Sequence, residues 1–233
     1  MHLLILGRGK TGSLVADIAA EHRHHTKTAN AKENAGCAAL TPKNLHNVDA
    51  VIDFTTPDSV MANIEACVRC GKNMIVGTTG WDSERERVRQ LVEQQGTGFV
   101  FGANFSVGVN LFYDAARAAA TALRHDYSGQ IFERHSLHKK DAPSGTALTI
   151  QRIVREVSGR GADGQSGGPE ITSFREGEVI GLHEIVFESA NDRIYLCHDA
   201  KSRRGFAEGA VLAAEWLAGK KGFYEFKDIW REL

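Results

Sequence analysis

The stretch from Arg134 to Ala147, RHSLHKKDAPSGTA, holds two basic groups of different proton chemistry, His135 and Lys139, four residues apart. An imidazole of pKa about 6.5 gives or takes a proton near neutral pH, whereas a lysine stays positive and stabilises negative charge. Lys140 adds a second cation, Asp141-Ala142-Pro143 breaks the chain, and Ser144-Gly145-Thr146 opens a helix expected to run to about Val157. A helix start leaves backbone N–H groups unpaired at the positive end of its dipole. Gly145 keeps that space open and Thr146 adds a hydroxyl donor. The segment reads as a carboxylate or phosphate seat beside a proton-transfer group. A solvated basic loop capped by Ser144 is the competing reading.

A second constellation, Gly7-Arg8-Gly9-Lys10-Thr11-Gly12, follows the apolar run His2–Leu6 and leads into a helical pattern from Ser13 to Glu21. Between a strand and a helix, GxGxxG is a dinucleotide fingerprint: its glycines allow a tight turn and close approach of the pyrophosphate. P-loop spacing would need a glycine at Leu4 and is rejected. An NAD-binding fold commonly sets an acid about 20 residues further on, against the ribose 2′-OH. That region reads Asn30-Ala31-Lys32-Glu33, so the acid is missing at its usual place, and Lys10, Lys27 and Lys32 are candidates for a 2′-phosphate. Acceptance of both NADPH and NADH is expected, with a mild lean to NADPH.

The elements that must position these groups alternate. Strands are expected at Thr26–Ala29, Asp49–Thr55, Asn73–Val76 and Gly98–Phe101, with helices at Pro57–Cys70 and from Asp82 or Ser83 to Gln95. In open parallel sheets, ligands bind at the carboxyl ends of strands. The small-residue loops Gly77-Thr78-Thr79-Gly80 and Gly102-Ala103-Asn104-Phe105 therefore join the glycine loop as cofactor candidates. After Ser106 the rhythm changes. A helix at Leu111–Leu123, a strand at Gln130–Ser136 and a loop from Gly159 to Gly168 precede strands at Ile171–Arg175, Val179–Ser189 and Arg193–Asp199. Strands in succession suggest mixed pairing and a second domain, whose apolar face a partner subunit could cover. A last helix, Gly205–Leu217, and a segment after Gly222 should return to the first sheet. The fold class is α/β: a Rossmann-like parallel-sheet domain (1–105 with 206–233) plus an α+β substrate and oligomerisation domain with a mixed sheet (106–205).

The 233-residue chain is 42% hydrophobic and 24% charged with net charge −1. That is a globular composition with no pull towards nucleic acid or membrane. No apolar run approaches the roughly 20 residues of a membrane helix, and MHLLILG reads as a strand and not as a signal peptide. Of the four cysteines, Cys37, Cys67, Cys70 and Cys197, Cys67 and Cys70 form a CxxC without a second pair to complete a zinc site, so they are expected to pack, in a reduced, cytoplasmic protein. His22, His24 and His25 surround Arg23 and are expected to form a solvated helix end rather than a metal site.

The strings GTTGWD (Gly77–Asp82), GANFSVGVN (Gly102–Asn110) and HKKDAPSGTA (His138–Ala147) resemble the 4-hydroxy-tetrahydrodipicolinate reductases, also called dihydrodipicolinate reductases, of lysine and diaminopimelate synthesis. SFREGEVIGLHEIVF, HDAKSRRGFAEGA and AAEWL fit as well, so the likeness runs nearly end to end. It implies a homotetramer, NADH or NADPH as hydride donor and a small dicarboxylate substrate. It also implies His135 and Lys139 as catalytic residues and Gly145 and Thr146 as the pair that binds a substrate carboxylate; the charge of Lys140 can help hold that carboxylate, and Ser136 occupies a substrate-contact position. Gly7 to Gly12, Gly77 to Thr79 and Gly102 to Phe105 match its cofactor contacts. Three features depart from the pattern. Ser136 stands where the family has a second histidine, the glycine loop is one residue short with Lys10-Thr11 for Arg-Met, and the segment after the second strand is abbreviated. A related oxidoreductase acting on another amino-acid precursor, and an idle nucleotide-binding protein, are the alternatives.

Overall fold

The computed structural model describes residues 1–159 and 168–233; the loop expected from Gly159 to Gly168 falls mostly outside them. The chain opens with β1 (His2–Leu6), α1 (Lys10–Glu21), β2 (His25–Ala29), α2 (Pro42–Leu45), β3 (Ala50–Asp53) and α3 (Pro57–Arg69). Then come β4 (Asn73–Val76), α4 (Arg85–Gln95), β5 (Gly98–Phe101), α5 (Val107–Ala119), β6 (Ser128–His135) and α6 (Gly145–Ser158). It closes with β7 (Glu170–Arg175), β8 (Leu182–Glu188), β9 (Arg193–Asp199), α7 (Arg204–Trp216), β10 (Gly222–Glu225) and α8 (Phe226–Ile229). Two compact units result, Met1–Val107 with Arg204–Leu233, and Gly108–Arg203.

In the first unit six strands line up as β10-β5-β4-β3-β1-β2, every pair parallel. The inner strands are continuous apolar runs because helices cover both faces. Val15 and Ile18 of α1 pack with Ala210, Ala213 and Ala214 of α7 on one side. Val60 and Ile64 of α3 pack with Val88 and Val92 of α4 on the other. Local chemistry sets the ends. Thr56 and Ser59 form a capping box ahead of Pro57, and Gly96 closes α4 in the left-handed conformation. As expected, the chain's last strand rejoins this sheet, beside β5.

Two local expectations change. Helix α1 starts at Lys10, not Ser13, because Gly9 is its N-cap and the end of the glycine loop is already helical. The histidines after it are not a solvated end: Arg23 takes φ 62°, the chain reverses, and half-buried His22 and His24 both turn to Glu215 of α7. Cys67 is buried as expected, and burial pushes its thiol pKa well up; Cys70 is half-buried, and Cys197 on β9 is exposed.

The second unit carries a four-stranded sheet, β7-β6-β8-β9, in which β6 and β7 are parallel and the other pairs antiparallel. Ile131, Ile185 and Phe187 on one face pack with Phe112 and Ala116 of α5 and Ile150 and Val154 of α6. Phe174 and Tyr195 remain exposed. Among the described residues no helix is long and apolar enough to cross a membrane.

Candidate active site

The glycine loop lies where strand order reverses, at the carboxyl ends of β1 and β3. Gly7 has φ +95°, and a Cβ there would come within 2.2 Å of the Phe54 carbonyl oxygen. A Cβ on Gly12 would fall 2.0 Å from the Gly7 oxygen, whereas one on Gly9 meets nothing within 4 Å. Packing thus dictates two glycines, and the third opens space in front of α1. No side chain caps the N-terminus of that helix. Uncapped N–H groups facing open space fit a pyrophosphate, so this unit's residues suit a dinucleotide. Lys10 and Thr11 lie in the first turn.

Arg8 leaves the loop for the end of β2. Its Nε donates to Thr28 Oγ1 at 2.8 Å, and its Nη2 lies 3.3 Å from Glu33 Oε2. The same Glu33 oxygen accepts the Asn30 N–H at 2.8 Å. Lys10, Lys27 and Lys32 are exposed. The guanidinium, counted in the sequence only as part of the phosphate loop, is therefore the cation held at the position where the ribose-binding acid is usual.

The other two loops are braced from within. Asp53, fully buried at the end of β3, accepts hydrogen bonds from Thr55, Thr78 and Asn63 at 2.7–2.9 Å. The Thr78 side chain is thus turned inward, while Thr79 is exposed. A Cβ on Gly77 would strike the Phe54 ring. Gly102 is buried and Ala103 exposed, and Asn104 Oδ1 accepts the Ser106 N–H at 2.9 Å. Phe105 packs on Phe226 with ring centroids 4.7 Å apart.

In the second unit one carboxylate organises the polar residues. Glu133 is fully buried on β6, between Ile131 and His135 on the core-facing side of the strand. It accepts the Ser144 N–H at 3.1 Å and the Ser173 hydroxyl at 2.7 Å, and Arg175 Nη2 lies 3.4 Å away. Strand register supplies these neighbours: Glu133 pairs with Ser173 on β7 and with His183 on β8. His135 Nδ1 stands 3.5 Å from Glu133 Oε2, and the His183 ring meets the His135 ring edge-on at 5.1 Å. His183 Nε2 also bonds Ser144 Oγ at 3.2 Å, and that same oxygen caps α6 by accepting the Ala147 N–H.

Burial decides the protonation states. It drives His183 down to about 4, with the charge of His135 adding to the effect. It also lowers His135, where the attraction of Glu133 opposes it and the charges of Lys139 and Arg175 reinforce it. For Glu133 burial alone would raise the carboxyl, but hydrogen bonds from Ser144 and Ser173, together with His135, hold it below the usual range. The centre at rest is one carboxylate among neutral histidines. Although these three groups bring ligand-type atoms within 4.8 Å of one another, Glu133 is committed to Ser144 and Ser173, and Arg175 would repel a metal ion.

Lys139 is paired at rest. Its Nζ sits 2.8 Å from both oxygens of Asp141, whose pKa it lowers. Arg175 bonds the carbonyls of Lys139 and Asp141 and so ties this loop to Glu133. Ser136 is half-buried, Lys140 exposed, and His138 faces outward to Glu178. Gly145 has open space around its Cα, and the Thr146 hydroxyl shares a hydrogen bond with Tyr113. Sequence reasoning missed Glu133, His183, Arg175 and Ser173. The alternation Ile131-Glu133-His135 was the available signal, since it puts a carboxylate on the buried side of a strand.

Two family models match the chain: dihydrodipicolinate reductase N-terminus over residues 1–105 and C-terminus over residues 108–230. The 4-hydroxy-tetrahydrodipicolinate reductase of Christiangramia forsetii is 34% identical over 100% of this chain and 99% of its own length. That of Neisseria meningitidis serogroup A is 39% identical over 78% of this chain and 72% of its own. A dipicolinate-bound dihydrodipicolinate reductase from Paenisporosarcina sp. TG-14 superposes with a TM-score of 0.79 at 25% identity, covering 98% of this chain and 99% of that one. An amine dehydrogenase from Mycobacterium smegmatis, at 8% identity and a TM-score of 0.63, shares the fold alone. On both domain matches and on these relatives, the chain belongs to the dihydrodipicolinate reductase family.

Proposed function

We propose that the reaction of this family, NAD(P)H-dependent reduction of 4-hydroxy-tetrahydrodipicolinate to tetrahydrodipicolinate, runs in this chain through His135 and Lys139. The bound nicotinamide supplies the hydride. Gly7, Gly9, Gly12 and the start of α1 hold its pyrophosphate, with backbone of Gly77–Thr79 and Gly102–Phe105 beside it. Gly145, Thr146 and Lys140 seat a substrate carboxylate at the start of α6, and Ser136 contributes a hydroxyl where the family has an imidazole. The dipicolinate bound by the Paenisporosarcina enzyme is itself a ring with two carboxylates, which suits such a seat.

The 4-hydroxyl leaves as water to give the conjugated dihydrodipicolinate, hydride delivery to that system leaves negative charge on it, and a proton must follow. His135 is neutral at rest, so it must be loaded. Substrate carboxylates arriving beside it raise its affinity for a proton. Lys139 releases Asp141, an exposed pair worth about 0–1 kcal/mol, and turns its charge on the substrate. Glu133 carries this reading: one buried carboxylate holds the backbone of Ser144, which starts the anion seat, and lies 3.5 Å from the proton-transfer ring.

For the cofactor, Arg8 is the group that meets a 2′-phosphate, and Glu33 is the one that meets a free ribose hydroxyl. Their mutual pairing makes the chain accept NADPH and NADH, with a lean to NADPH. The dinucleotide-binding domain is 1–105 with 206–233, and 106–205 binds substrate and builds a homotetramer, to which exposed Phe174 and Tyr195 would contribute. Free thiols suit a cytoplasmic setting. Steady-state assay with the dipicolinate precursor tests the central claim. His135→Ala and Lys139→Ala should each lower kcat by about 10²–10⁴-fold with cofactor binding kept. Near-normal turnover in either would remove that residue from the chemistry.

A further inference from the structure

Outside the reductase chemistry, two helix ends in the first unit converge on one cluster of metal-binding side chains. His22 is the C-cap of α1, His24 follows the reversal at Arg23, and Glu215 lies in the last turn of α7. His22 Nδ1 is 2.9 Å and His24 Nε2 2.8 Å from the same oxygen, Glu215 Oε1. All three ligand atoms lie within 4.8 Å of one another, and all three residues are half-buried. A helix C-terminus carries partial negative charge that a cation offsets. Here two such ends meet, a carboxylate is added to them, and neither α1 nor α7 has a basic residue in its last turn. Burial would raise Glu215, yet its bonds to His22 and His24 hold it below the ordinary carboxylate range, so it remains a charged ligand.

We propose that His22, His24 and Glu215 form a binding site for a divalent transition-metal ion of the zinc type, fastening the end of α1 to the end of α7. Two imidazoles and a carboxylate are a recurrent zinc ligand set, and the fourth position is left to water. With metal–ligand distances of about 2.0–2.2 Å, tetrahedral ligands stand roughly 3.4 Å apart. The present separations of 2.8–2.9 Å therefore need to open by only about half an ångström. Each ring nitrogen must also give up the proton it now points at Glu215, or pass it to the other ring nitrogen. The amino group of Met1, 3.3 Å from His24 Nδ1, faces the far side of that ring and is not a ligand. Neighbouring His2 and His25, stacked at 4.8 Å, are the competing surface site.

The test is a titration of EDTA-treated protein with Co²⁺ followed by visible absorption, then displacement by Zn²⁺. One equivalent should bind with the spectrum of tetrahedral nitrogen and oxygen ligands, and Zn²⁺ should raise the melting temperature. His22→Gln, His24→Gln and Glu215→Gln should each weaken binding by at least about tenfold, while the double variant His2→Gln/His25→Gln leaves it unchanged. If a substitution at the cluster unfolds the protein, wild-type stoichiometry and the His2/His25 control still decide. Absence of saturable binding, a sulfur-to-cobalt charge-transfer band, or loss of binding in the His2/His25 variant would each overturn the site. The first outcome would leave a His–Glu–His hydrogen-bonded tie.

Discussion

Mild acid should destabilise this protein through His183. Its imidazole is 4% exposed, and burial takes its pKa from the ordinary 6.5 to about 4. The folded state thus binds its proton more weakly than the unfolded chain does. A depressed histidine pKa gives no penalty well above 6.5; stability is lost as pH falls through the window between the two values. At pH 5 the unfolded imidazole is almost wholly protonated and the folded one almost wholly neutral, a difference of about 2 kcal/mol against pH 7. For a chain of this size that lowers the melting temperature by roughly 4–8 °C. The perturbation is His183→Gln, which removes the titration and retains a polar partner for Ser144 Oγ. Melting curves of both proteins should be taken in matched buffers between pH 7 and pH 5. The wild type should lose about 2 kcal/mol more than the variant across that interval. Equal losses would mean that His183 is protonated, or solvent-reachable, in the folded state, and the picture of neutral histidines around Glu133 would fail with it.

Three more outcomes follow from the same geometry. Glu133→Gln should lower stability by about 1.5–3 kcal/mol, because the amide replaces the carboxylate that accepts the Ser144 N–H and the Ser173 hydroxyl, and kcat should fall as the Lys139–Asp141 loop loosens; unchanged melting and turnover would refute this. Thr146→Val should raise KM for substrate about tenfold, the loss of one hydrogen bond to a charged group, whereas Tyr113→Phe should raise it less; equal effects would show that the Tyr113 contact, and not a carboxylate, is what Thr146 serves. Arg8→Gln should lower kcat/KM with NADPH about tenfold and leave NADH almost untouched. The wild-type lean to NADPH should shrink at 1 M salt, where the Debye length is about 3 Å; a preference that survives Arg8→Gln yet still shrinks with salt would return the selection to the exposed lysines, and one indifferent to both changes would refute selection by surface charge.

Much of the fold was legible because parallel strands are written as continuous apolar runs and helices by start signals such as Pro57 and Ser144. Glycine at positions 7 and 12 carried real geometric information, since any Cβ there strikes backbone. What stayed hidden depended on pairing across distant segments. Glu133, Ser173 and His183 are adjacent through strand register, not spacing. The reach of Arg8 to Thr28 depends on β1 and β2 lying side by side. His22 and His24 read as a polar helix end because Glu215, the residue that draws them in, lies 191 residues from His24 in the chain.

The two histidines beside Glu133 differ in a way that assigns them different work. Both are lowered by burial, but His183 is also enclosed by β8, Ser144 and the ring of His135, and at about 4 it stays neutral in any ordinary working range. A neutral His183 adds no second positive charge beside His135, so it does not compete for the field of Glu133. His135 is balanced more finely: Glu133 draws a proton to it, while Lys139 and Arg175 discourage one. An arriving carboxylate would offset those two cations and add to the pull of Glu133 against the burial that keeps the ring neutral. On the proposed function, proton uptake by His135 would then be tied to occupation of the anion seat, so that the acid forms when there is a substrate to receive its proton.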